Sequence, residues 1–266
     1  MEKQRKFSDI PFEILLTWRY FVEALKIIRN EKLWVGFWKY GWVTAILIIA
    51  GGIVGIQFLL GIGDLLRSIW SGSSSDEAGI VTFGHQLENF LGGLFLVGSY
   101  KYVILILGEV LVFHLVRRTI EMLGGEKQDD SFIAFIHAQK RMIVIAFSSW
   151  IMELISTILI SVAIGILGFD FLKPVFVFLV SAYFMGFTLT DNYFERNGVT
   201  VKESHKLNLN IIGVSLGLGV ILSLLFLIPI VGPIFGTSVG AVAAAMTLFY
   251  LEKKGDLQLK PETEKS

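Results

Sequence analysis

Apolar residues dominate six stretches of this chain, at about 41–63, 90–116, 142–168, 172–190, 211–228 and 234–251, with polar residues gathered between them. The hydrocarbon core of a bilayer is about 30 Å thick and takes about 20 apolar residues per helix. The pattern therefore predicts an all-α polytopic integral membrane protein with long spanning helices and short helical hairpins. From Ile211 to Leu251 about forty residues pass without Lys, Arg, Asp or Glu. In their middle lies LIPIVGPIFG, whose Pro229 and Pro233 sit four residues apart. Proline lacks an N–H and clashes with the preceding helical turn, so the two mark a sharp tip between two helices. Each of these last two segments has about 17–18 residues, or about 26 Å as a helix. They either just span or enter and turn back; the sequence leaves both open.

Small residues indicate how helices close on one another in lipid, where association depends on close backbone approach. Gly213 and Gly217 form one such face, and Gly236, Gly240 and Ala244 continue the spacing on the partner segment. Gly51 and Gly55 repeat it in the first span. On this reading the glycines of the last two segments face each other, and Leu222 faces lipid.

Ahead of the first span, Ser8 and Asp9 are placed to cap a helix with Pro11 in its first turn. Ile14, Trp18, Phe21, Leu25 and Ile28 share one face, and Arg19, Glu23, Lys26 and Asn30 the other. Such a helix either lies in the membrane interface or packs on the protein's own cytoplasmic face. The chain thus divides into an amphipathic segment 1–40, one membrane domain 41–251 and a polar tail 252–266.

Charge fixes the expected orientation. Lys and Arg number eight in residues 1–40, five in 117–141, three in 192–210 and four after 252. The 64–89 loop, which contains SGSSSDEAG, has only Arg67, and the turn at 229–233 has no charge. Cations concentrate on the cytoplasmic side, so both termini are expected there. No cleavable signal peptide is visible, and the first span is expected to act as its own insertion signal.

Composition narrows the chemistry. Hydrophobic residues make up 54% and charged residues 17%, net charge is zero and cysteine is absent. No basic cluster suits a nucleic acid, and cysteine chemistry is excluded. His85, His114, His137 and His205 lack ligand spacing, there is no phosphate-binding glycine loop, and GVSLG at 213–217 lies in an uncharged helix rather than at a hydrolase elbow. No enzyme, cofactor or metal is expected. Two carboxylates within apolar runs stand out instead. Glu109 lies about 12 Å along the helix from Arg117, and Glu153 about 18 Å from Arg141; charges at such depth face a bundle interior or a water-filled path. Lys101 is expected to snorkel to the outer surface.

The stretch SAYFMGFTLTDNYFERNGVTVKESHKL, followed by the glycine-rich hairpin, resembles the CysZ sulfate-permease family and the related etoposide-induced protein. The positions carrying the resemblance are Asp191, Arg196, Gly198, Thr200, Pro229, Pro233, Gly240 and Ala241. RYFVEALKIIRNEKLWVGFWKYGWVTAILI is similar to the family's N-terminal entry into its first long helix. The resemblance implies a bacterial inner-membrane protein with two long spanning helices and two part-way hairpins, assembled into homo-oligomers. It also implies uptake of sulfate. The family's Gly-Leu-Arg-Arg oxyanion motif aligns here with Lys32, Leu33, Trp34 and Val35, so both arginines are missing. Lys32 and Lys39 are the nearby cations, and Lys32, Leu33 and Lys39 form the expected anion site. The reading is a permease for a small inorganic anion, with sulfate the default; the alternative is a non-transporting membrane scaffold or assembly protein of the same fold.

Overall fold

The computed structural model describes residues 9–33, 79–127, 129, 131–228 and 231–259, and within 79–100 the backbone alone. The predicted first span at 41–63, with Gly51 and Gly55, lies outside the described residues, as do Lys39 and Pro229. The described chain is helical: α1 (Ile10–Asn30), α2 (Gly79–Met122), α3 (Phe132–Ile166), α4 (Lys173–Arg196), α5 (Val201–Leu209), α6 (Ile212–Leu225) and α7 (Val231–Lys253). Among the described residues, α3, α4 with the short turn before it, and α7 are each long and apolar enough to cross a membrane. The protein is an all-α polytopic membrane protein.

Local chemistry explains the boundaries. The Ser131 hydroxyl accepts from the Ala134 N–H (3.2 Å) at the start of α3, and the Thr200 hydroxyl from the Glu203 N–H (3.3 Å) at the start of α5. Gly198 closes α4 with φ +69°, in the left-handed region glycine enters freely, while the Val199 N–H reaches back to the Phe194 carbonyl (3.0 Å). Asp9 precedes α1 without a side-chain capping bond, and Pro11 sits in the first turn as expected.

The 211–228 stretch is shorter as a helix than its hydropathy suggests. It becomes α6, 14 residues or about 21 Å long, and α5 meets it at a bend of 93°. Leu227 and Ile228 after α6 and Val231 at the start of α7 are exposed. The helices also differ in depth of burial. In the most apolar window of α7, 72% is buried, against 17% for α3. α7 is the central helix, packed by α1, α2, α4 and α6, and its run Gly240-Ala241-Val242-Ala243-Ala244-Ala245 is small because neighbours approach from several sides.

The glycine faces work differently from the sequence expectation. A Cβ on Gly213 would lie 2.5 Å from the Ile10 carbonyl oxygen, and one on Gly217 3.3 Å from Ile14 Cα, so this pair seats α1. On α7, Gly236 and Gly240 do meet α6, but through Leu222, which is fully buried and not lipid-facing; Gly240 also meets Leu189 of α4. The closest approach is one the spacing did not reveal. A Cβ on Gly186 of α4 would fall 1.8 Å from Ser215 O, and one on Gly219 of α6 1.6 Å from Ala182 O.

α1 consequently has two working faces. Glu13, Leu16, Thr17, Phe21 and Ala24 point into the protein, while Phe12, Leu15, Trp18, Val22 and Leu25 form an exposed apolar stripe. The buried face holds polar residues because it meets backbone. Glu13 accepts from the Gly213 N–H at 3.0 Å, placing a carboxylate at the positive end of α6, and the Trp18 indole donates to Gly217 O at 3.1 Å. Glu13→Ala is expected to cost about 1–2 kcal/mol, the scale of a lost cap. Faster hydrogen–deuterium exchange confined to α1 and the first turn of α6 would register it; unchanged exchange would show that Glu13 does not anchor the helix.

Candidate functional site

Four helices bring their ionisable side chains together around α4. Arg141 of α3 forms a two-pronged pair with Asp191 of α4, with Nε to Oδ2 and Nη2 to Oδ1 each at 2.8 Å. The same guanidinium donates to the Val199 carbonyl, and Ser204 of α5 donates its hydroxyl to Asp191. A planar fork matched to a carboxylate and completed by two further bonds is the arrangement that sustains a buried ion pair. The pair ties α3, α4, the 197–200 link and α5 at one point.

Beside it, Arg117 of α2 stacks on Phe113, 3.7 Å from the ring centroid, and reaches Glu195 through Nη2 at 3.3 and 3.4 Å. Its Nε donates to Asp129 O at 3.2 Å. Arg196, buried, donates to the Glu126 carbonyl and to Asn197 Oδ1 (3.4 Å), and its Nε has no partner among the described residues. Tyr193 donates to Glu252 of α7. Asn208 gathers the buried hydroxyls at the α5–α6 bend: Thr190 (3.1 Å) and Ser215 (2.5 Å) donate to its Oδ1, and its Nδ2 donates to Tyr183 (2.9 Å). That hub supplies the polar partners which a sharp helix break in a membrane needs.

Glu109 is different in kind. It is fully buried on α2, and neither carboxylate oxygen has a hydrogen-bond partner among the described residues. Arg117, Glu195 and Asp191 are its charged neighbours. The Asn192 amide lies alongside; its Nδ2 donates one N–H to Thr188 O at 3.2 Å and has a second for the carboxylate. An ionised carboxylate left this way is costly. Gly108, next to it, packs against Thr237 of α7.

A second polar cluster joins α2, α3 and α4. Lys101 Nζ lies 2.6 Å from Glu153 Oε1 and also donates to Ser181, while the Tyr102 hydroxyl donates to Glu153 Oε2 at 2.5 Å. Lys101 therefore does not snorkel to the surface; it neutralises Glu153. The two carboxylates singled out by their depth differ: Glu153 is paired with Lys101, and Glu109 has no ion pair among the described residues.

The remaining expected residues are spread out. Lys32 follows α1 with φ +47°, and Leu33 is buried. A cleft of about 200 Å³ is lined by Glu31, Leu33, Arg118, Glu121 and Met122, two carboxylates to one guanidinium. Asp191 and Arg196 belong to the ionic layer, Gly198 and Thr200 to the α4–α5 turn, and Gly240 and Ala241 to the α7 core. Pro233 is buried in the first turn of α7, where its carbonyl accepts from Thr237 (2.7 Å). Sequence reading missed Arg141, Arg117, Ser204 and Asn208. The arginines read as cytoplasmic flanks, and the i, i+4 spacing of Ser204 and Asn208 was the available sign of a polar inward face.

A family model described as sulfate transporter CysZ/etoposide-induced protein 2.4 matches residues 20–236. Comparison with curated proteins gives no match, and comparison with solved structures gives none.

Proposed function

We propose, from the premise that the chain belongs to the sulfate transporter CysZ/etoposide-induced protein 2.4 family, that it is a permease for a small inorganic anion, with sulfate the default substrate. The observation that carries this reading is Glu109. A protein that only scaffolds partners gains nothing from a fully buried carboxyl without an ion pair among the described residues, whereas membrane-embedded ionisable groups mark ion paths. The neighbouring Arg117 supplies a guanidinium group to such a path, and in the same ionic layer Arg196 Nε is a buried donor without a partner among the described residues. Lys32, Leu33 and Lys39 are the entry contacts that the family alignment suggests. Ammonium groups there are point charges without the planar fork of arginine, so discrimination between monovalent and divalent anions is expected to be weak. The cation asymmetry supports an orientation with both termini cytoplasmic, and the resemblance to the family is what suggests a bacterial inner membrane and a homo-oligomer.

The test is anion flux in liposomes holding only the purified chain. Wild type is expected to take up sulfate. Glu109→Gln, which keeps shape and removes the titratable group, is expected to slow uptake by an order of magnitude or more while its melting temperature holds or rises. Lys32→Gln and Lys39→Gln are expected to lower the rate several-fold and alter anion preference. No flux from correctly incorporated wild type would favour the scaffold reading. Full flux from Glu109→Gln would remove Glu109 from the path.

A further inference from the structure

Between α1 and α7 runs an apolar cleft of about 510 Å³, walled by Leu25 and Ile28 on one side and by Val231, Ile234 and Phe235 on the other. Leu25, Val231, Ile234 and Phe235 are substantially exposed within it. At its edge stands Arg29, the last cation of α1. Among the described residues Arg29 forms no ion pair and no side-chain hydrogen bond, unlike Arg117, Arg141 and Arg196. Arg19 and Lys26, with Glu23 between them, lie on the exposed side of the same helix, beside the stripe of Leu15, Trp18 and Val22.

We propose that this cleft is a binding site for an anionic phospholipid, with one acyl chain between α1 and α7 and its phosphate on Arg29. The two halves of the site are complementary to the two halves of such a lipid. A cleft of this size lies in the range of small-molecule sites, its walls offer hydrocarbon contact, and an unpaired guanidinium at the edge offers a bidentate partner for phosphate oxygens. Lipid is also the solvent of a membrane protein, so the chain is present wherever the cleft opens. The bound lipid would bridge α1 to the hairpin on which Glu13 and Trp18 already hold it, stiffening their union at the opposite end of α1.

The experiment uses the full chain in neutral detergent, with dioleoyl phosphatidylglycerol or dioleoyl phosphatidylcholine added, read by native mass spectrometry and by melting temperature. Phosphatidylglycerol is expected to remain bound and raise the melting temperature more than phosphatidylcholine does. Inorganic phosphate at equal concentration is expected to have no effect, because it lacks the chain. Arg29→Gln is expected to weaken phosphatidylglycerol binding about five-fold, the size of one basic contact to an anionic lipid, and to leave phosphatidylcholine binding unchanged. Ser238→Phe, which fills the cleft from α7, is expected to remove retention of both lipids; if that variant does not fold, Arg29→Gln decides alone. Equal binding of the two lipids, or an undiminished preference in Arg29→Gln, overturns the proposal. So does protection by inorganic phosphate alone. A wild-type dimer that Ser238→Phe dissociates would also overturn it, showing that a second copy covers the cleft.

Discussion

Gly219→Ala is expected to destabilise the protein by about 3 kcal/mol or more, against the usual sign for a helical glycine. In a helix interior alanine is favoured over glycine by about 1 kcal/mol. At Gly219 the added Cβ would lie 1.6 Å from Ala182 O and 2.4 Å from Ala182 C. Those are atoms of a neighbouring helical backbone, which cannot rotate away as a side chain end can. Accommodation requires α4 and α6 to separate, and overpacking on that scale costs about 1–3 kcal/mol or beyond. Separation would also loosen the opposing contact, where a Cβ on Gly186 would fall 1.8 Å from Ser215 O, so Gly186→Ala is expected to behave alike. Gly165→Ala is the control: it lies in α3, and its Cβ would meet only Asp170 Oδ1 at 3.9 Å. Fluorescence-detected melting in detergent should show a large loss for Gly219→Ala and Gly186→Ala and none for Gly165→Ala. Equal melting of all three would mean that α4 and α6 are not in backbone contact.

The second large effect is expected at Arg141 and Asp191. Removing Arg141 leaves Asp191 charged and buried without its guanidinium, a loss of about 3–5 kcal/mol, and removing Asp191 takes the carboxylate from a half-buried Arg141. Arg141→Leu also strips the Val199 carbonyl of its donor, and Asp191→Leu strips Ser204 of its acceptor. The double replacement removes both charges together, so it is expected to cost less than the sum of the singles, with a coupling of about 2 kcal/mol. A double-mutant cycle on melting in a single detergent measures it. Additive losses would show that the pair does not hold the two helices together.

Much of this architecture was legible in the amino-acid order, and for a simple reason. Hydrocarbon excludes unpaired backbone and charge, so a membrane chain must announce its helices as uncharged runs. The stretches containing α3, α4 and α7 were visible this way, whereas Pro233, expected at a tip, lies in the first turn of α7. The 93° break was not, because α5 carries Lys202, Glu203 and Lys206 and reads as part of the polar link before the uncharged run that begins at Ile211. Its cause is local: Asn208 offers side-chain bonds to Thr190, Ser215 and Tyr183 that make a break tolerable, and that requires partners from another helix.

The site divides in the same way. Depth along an apolar run pointed to Glu109 and Glu153, since a carboxylate in hydrocarbon is costly wherever the helix lies. Sequence could not tell which of them is satisfied, because Lys101 stands 52 positions from Glu153 and only the packing of α2 on α3 closes the pair. Glycine spacing likewise established that helices meet closely, while the tertiary structure chose the partners: Gly213 and Gly217 receive α1, and Gly219 receives α4. Composition and periodicity act along one helix and are fixed by the order of residues. Which faces meet, and therefore which buried charge finds a partner, depends on how several helices share one core, and that was decided only in the folded chain.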